Sequence, residues 1–121
     1  MENLKEFKEL ILRYESIMLK EIRSLWTAWH GPDTDERVSF VTNRLTSYGT
    51  VTCTLCVAVR RDCHKCVYSI DYHASDIHFC FKGCNSETYL AIEKATTPAE
   101  LKASFRARAK HMRTILKQIE I

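Results

Sequence analysis

A chain of 121 residues is one domain's worth, and its 45% apolar, 27% charged composition with only 3 glycines and 2 prolines excludes a disordered or collagen-like protein. No apolar run approaches the ~20 residues a membrane-spanning helix needs. The net charge of +3 is ordinary, but six cysteines are not.

From Asn3 to Trp29 the apolar positions Leu4, Phe7, Ile11, Tyr14, Met18, Ile22, Leu25 and Trp29 recur at steps of three and four. That spacing marks one face of an α-helix. Asn3 and Glu6 have capping-box spacing, and His30-Gly31-Pro32 is a stop. The pattern predicts a single helix over residues 1–30, roughly 40 Å long at about 1.5 Å per residue. Such a helix either spans the whole body as a spine or lends part of its face to a second copy in a homo-oligomer. The opening residues lack the apolar core and cleavage site of a secretory signal. An intracellular, cytoplasmic location is therefore expected, where thiols stay reduced.

Asp33 to Leu45 fits either a short helix through Val38, Val41 and Leu45 or a strand through its β-branched run; the helix is favoured. Between Thr50 and Cys84 the runs Thr50-Val51-Thr52, Val57-Ala58-Val59, Val67–Tyr72 and Ile77–Phe81 read as strands of two small hairpins. Asn85 to Ala95 returns to a helical pattern through Tyr89, Ile92 and Ala95. Thr97-Pro98-Ala99-Glu100 opens a last helix, running over 97–120 with Leu101, Phe105, Ala109, Met112, Leu116 and Ile119 on one face. The fold class expected is α+β: one domain over 1–121, with two helical arms flanking a small β-hairpin region at 50–84.

Small hairpins are marginal alone and need a staple. Cys53-Thr54-Leu55-Cys56 and Cys63-His64-Lys65-Cys66 are two CxxC pairs, and Cys80 and Cys84 form a third. A two-residue gap lets both thiolates of a pair reach one ion about 2.3 Å from each sulfur. Zinc is the expected cofactor, one or two ions held by Cys53, Cys56, Cys63, Cys66, Cys80 and Cys84. The pairing stays open: Cys63/Cys66 with Cys80/Cys84, or Cys53/Cys56 with Cys63/Cys66, with His64, His73 or His78 available to a second ion. Disulfides, an iron–sulfur cluster and unligated thiols are the competing states.

On the last helix Lys102, Arg106, Lys110, Arg113 and Lys117 recur at steps of 4, 4, 3 and 4, with Arg108 beside them. The last 24 residues carry six Lys/Arg against two Glu. This face, with Arg60 and Arg61 near the cysteines, is a candidate contact for an anionic partner: nucleic acid, nucleotide or an acidic protein. The plainer alternative is a solvated polar face. Trp29 and Tyr14 read as core and Trp26 as half exposed; His30 and His111 read as solvent-facing.

Signatures of P-loop, dinucleotide, α/β-hydrolase, zinc-protease and zinc-deaminase sites are missing from the sequence, so no catalytic residue is assigned. The run CTLC…CHKC, a strand, a cysteine-bearing turn, ETYLAIEKA and a basic terminal helix together resemble small cysteine-rich bacteriophage proteins, over about residues 50–113. The resemblance rests on Cys53, Cys56, Cys63 and Cys66. It implies a viral protein working inside a bacterial host by binding and disabling a host factor. Three readings follow: a zinc-stabilised, non-enzymatic binding module; a phage inhibitor of host defence that sequesters a nucleotide signal or covers a host protein; and a small metal-dependent enzyme or thiol redox protein.

Overall fold

Apolar stripes at helical spacing close on one another to make the core. In the computed structural model, which describes residues 4–46 and 87–119, the elements are α1 (Leu4–Ser16), α2 (Leu19–Ala28), α3 (Thr34–Thr46), α4 (Glu87–Glu93) and α5 (Pro98–Ile119). The long α5 is the hub, packed against α1, α2 and α4, while α3 lies across α1, α2 and α4. Phe7, Ile11, Tyr14, Ile17, Ile22, Val41, Leu101, Phe105 and Met112 are almost wholly removed from solvent. Each large apolar side chain buried this way contributes about 1.5–3 kcal/mol. The Tyr14 and Phe105 rings meet at 5.5 Å in a tilted pair that ties α1 to α5.

The α+β class expected from the sequence is corrected. Of the described residues 85% are helical, and none of them lies in a strand. The physical reason is that the faces of α1, α2, α3 and α5 already complement one another, so this core closes without a sheet. The hairpins expected at 50–84 lie outside the described residues. Asp33–Leu45, the ambiguous segment, is helical: the Asp33 carboxylate accepts the Asp35 N–H at 2.9 Å and its carbonyl accepts from Arg37.

The single helix expected over 1–30 is also corrected, because the chain breaks after Ser16. Met18 is extended at φ −100°, ψ 151°, and α2 begins at Leu19. The break turns Ile17 into the core at 0% exposure and leaves Met18 54% exposed, although the stripe had placed Met18 inside. Glu21 reaches back to accept the Met18 N–H at 2.9 Å, which starts α2. At the far end, Trp29 stacks on Phe40 at 5.2 Å, and Gly31 passes so close that a Cβ there would stand 2.8 Å from the indole Nε1.

The C-termini of the first three helices share one device. The last carbonyls of a helix lack partners and carry the negative end of its dipole. Arg106 of α5 donates to carbonyls at the end of α1, Arg37 of α3 to the Trp29 carbonyl ending α2 (3.2 Å), and Arg13 of α1 to the Leu45 carbonyl near the end of α3 (2.5 Å). Arginine supplies a rigid fork of donors suited to this role.

Candidate anion-binding face

The face stands on α5, whose start is fixed by local chemistry. The Thr97 hydroxyl accepts the Glu100 N–H at 3.1 Å, and Pro98 occupies the first helical position, where no donor is lost. Glu100 accepts from the Thr96 N–H and hydroxyl, and those bonds hold its carboxyl below the ordinary value. At about 100° per residue, Lys102, Arg106, Lys110, Arg113 and Lys117 fall within about 80° of one another. Leu101, Phe105, Ala109 and Met112 fill the adjoining face and are buried.

Two of the five cations, the arginines, are turned onto the protein itself. Arg106 Nη1 donates to the Tyr14 carbonyl at 2.8 Å and to the Glu15 carbonyl, and Nη2 donates to Ile17 at 3.0 Å. Arg113 forms a two-point ion pair with the Glu15 carboxylate, through Nε to Oε2 and through Nη2 to Oε1 at 2.6 Å. That hydrogen bond lowers the Glu15 carboxyl and raises the Arg113 guanidinium, against the weaker opposing effect of burial. Part of the anion the charge pattern calls for is thus internal, namely the carbonyl end of α1 and Glu15.

Arg108, read from the sequence as flanking the stripe, is buried instead. Its Nη1 donates to the Thr88 hydroxyl at 2.8 Å, and its guanidinium lies 5.8 Å from the Tyr89 ring centre. His111, expected in solvent, is half-buried. Burial, with a smaller contribution from the Arg108 charge, pushes its imidazole below the ordinary value. What remains outward is lysine: Lys110 and Lys117 are exposed and Lys102 is half-buried, none with a partner among the described residues. The two Arg–carbonyl and Arg–carboxylate contacts escaped the sequence reading.

Trp26 is half exposed as expected, whereas Trp29, read as core, lies outside the buried cluster and packs on Phe40. Both are half-buried, and the Arg37 guanidinium lies 5.5 Å from the Trp26 ring centre. Tyr14 is in the core, and His30 is exposed. A notch of about 130 Å³ lined by Glu6, Glu9, Leu10, Arg13 and Thr46 lies beside the end of α3. It falls well short of the ~300 Å³ at which ligand pockets begin, and it brings two carboxylates, which disfavour a nucleotide there.

Cys53, Cys56, Cys63, Cys66, Cys80 and Cys84, with Arg60, Arg61, His64, His73 and His78, lie outside the described residues. Among the described residues there is no group of three or more His, Cys, Asp or Glu placed to hold a metal, and no helix long and apolar enough to cross a membrane. No family model, curated protein or solved structure matches the chain.

Proposed function

We propose that the protein is a non-enzymatic binding module whose α5 lysines contact the phosphates of nucleic acid, and whose cysteine-rich segment is stapled by zinc. The observation that carries the first part is the row of Lys102, Lys110 and Lys117, unpartnered among the described residues on one side of α5. Fifteen residues of helix separate its ends by about 22 Å at 1.5 Å per residue. Lysine suits this role as a compact, hydrated point charge on a flexible stem, which reaches phosphates without demanding one geometry. The second part is supported by sequence alone, through the two CxxC pairs and the Cys80/Cys84 pair.

The deciding experiment is fluorescence anisotropy with a labelled DNA duplex across a salt series. Three phosphate contacts give log K against log salt a slope of about −2.7, from about −0.9 per phosphate. The Lys102→Glu, Lys110→Glu, Lys117→Glu triple variant is expected to abolish binding while retaining its helical circular dichroism. Binding that ignores salt, or that survives the triple variant unchanged, overturns the reading.

A further inference from the structure

Arg106 and Arg113 are both occupied, but not in the same way. The acceptors of Arg106 are backbone carbonyls that define where α1 stops, so releasing them unmakes the fold locally. The acceptor of Arg113 is one side-chain carboxylate at the solvent boundary, the two side chains being 45% and 34% exposed. Exposed pairs of this kind exchange readily. Glu15 also sits in the last turn of α1, where the helix dipole disfavours a carboxylate. Its place is therefore not explained by the stability of α1. The arrangement of the pair is the two-point fork that arginine offers equally to a carboxylate and to a phosphate. Lys110 and Lys117 bracket Arg113 along the same face, three and four residues away. A polyanion that reaches both lysines must pass over the Arg113–Glu15 pair.

We propose that Glu15 is a built-in competitor for the phosphate: it holds Arg113 and withholds that arginine from a polyanion bound along the lysines. The proposal rests on the reading of α5 as a nucleic-acid-contacting face. It assigns Glu15 an autoinhibitory role, setting both affinity and the salt at which binding is lost.

The test compares the full-length protein with Glu15→Gln, Arg113→Gln and the double variant, using the same labelled duplex and salt series, with circular dichroism melts to verify folding. Glu15→Gln is expected to bind about 3–10-fold tighter, with a slope steeper by about 0.9, the increment of one added phosphate contact. Arg113→Gln alone changes affinity less than twofold, because that arginine is already occupied, and in the Glu15→Gln background it cancels the gain. If Glu15→Gln binds with wild-type affinity and slope, the competitor role is overturned while the face itself stands. A gain that persists in the double variant also overturns it, because removal of a negative charge alone then accounts for the effect. Failure of both the wild type and Glu15→Gln to bind the duplex overturns the face and the competitor together. Binding by Glu15→Gln alone supports both.

Discussion

Arg106 and Ile17 meet across 89 residues of sequence: the guanidinium Nη2 donates to the Ile17 carbonyl at 3.0 Å while Nη1 holds Tyr14 and Glu15. This contact decides where the first helix ends. A helix that continued through residue 18 would satisfy these carbonyls with its own N–H groups. Ending it at Ser16 leaves them bare, and a fixed fork of donors from α5 takes the place of the next turn. In return Ile17 enters the core and α2 is free to lie against α3 and α5.

Arg106→Met keeps the aliphatic stem and removes every donor. The half-buried carbonyls of Tyr14, Glu15 and Ile17 then lose charge-assisted partners, each worth about 1.5–3 kcal/mol when intact, with some of the loss recovered by water. The expected destabilisation is about 2–3 kcal/mol, read as a lower urea midpoint at constant slope. Arg106→Lys, with one compact ammonium, recovers about half of that. A Met variant as stable as the wild type would show that the α1 end is held by packing alone.

Gly31→Ala tests the corner between α2 and α3. The new methyl would stand 2.8 Å from Trp29 Nε1 and 3.0 Å from Cε2 and Cζ2, and the indole is backed by Phe40 at 5.2 Å. The ring has little room to yield, so overpacking is expected to cost about 1–2 kcal/mol. Phe40→Ala opens space behind the indole. The double variant should therefore lose less stability than the sum of the two single changes in a denaturation cycle.

Stability is expected to fall in two stages on acidification. The His111 imidazole lies below its ordinary 6.5, chiefly through burial, so the unfolded chain binds its proton first. Its contribution is complete above pH 6.5 and is lost as pH falls through the depressed value. The Glu15 carboxyl lies below its ordinary 4.5 through its bond to Arg113. Its contribution is complete above pH 4.5 and disappears only in stronger acid. Urea midpoints measured from pH 8 to pH 3 should show both steps. His111→Gln is expected to remove the upper one and Glu15→Gln to reduce the lower, which Glu100 shares through its bonds to Thr96; a wild-type profile flat from pH 7 to 5 would contradict the first assignment.

Elements governed by adjacent residues were readable in advance. Asp33 starts α3, and Thr97 with Pro98 starts α5, through bonds spanning two or three residues. The buried faces of α3 and α5 follow the apolar spacing at Val38, Val41, Leu101, Phe105 and Met112. The break at Ile17–Met18 was not readable, because the stripe runs through it without a change of step and the contact that enforces it comes from Arg106. The basic stripe misled in a related way. Spacing puts five cations on one side of α5, but spacing cannot say that α1 ends against two of them, Arg106 and Arg113. Arg108 is a different case: at about 100° per residue it falls between Ile115 and Leu101 on the apolar side of α5, so its burial follows from spacing, and Thr88 and Tyr89 of α4 receive its guanidinium.

Metal removal separates the staple from the core. If the cysteine pairs hold zinc, purified protein carries one or two ions per chain by elemental analysis, and Cys63→Ser with Cys66→Ser lowers that number. The contacts of α1 with α5 and of α3 with α4 involve none of the cysteines. Prolonged chelation is therefore expected to lower the melting temperature while most of the helical signal at room temperature persists. The fall follows from loop closure: the segment joining α3 to α4 runs over residues 47–86, and an ion that cross-links it restricts the unfolded chain. Zinc-free protein with full wild-type stability would remove the staple from the proposal. Loss of all helical signal on chelation would instead show that the helical core depends on the ion.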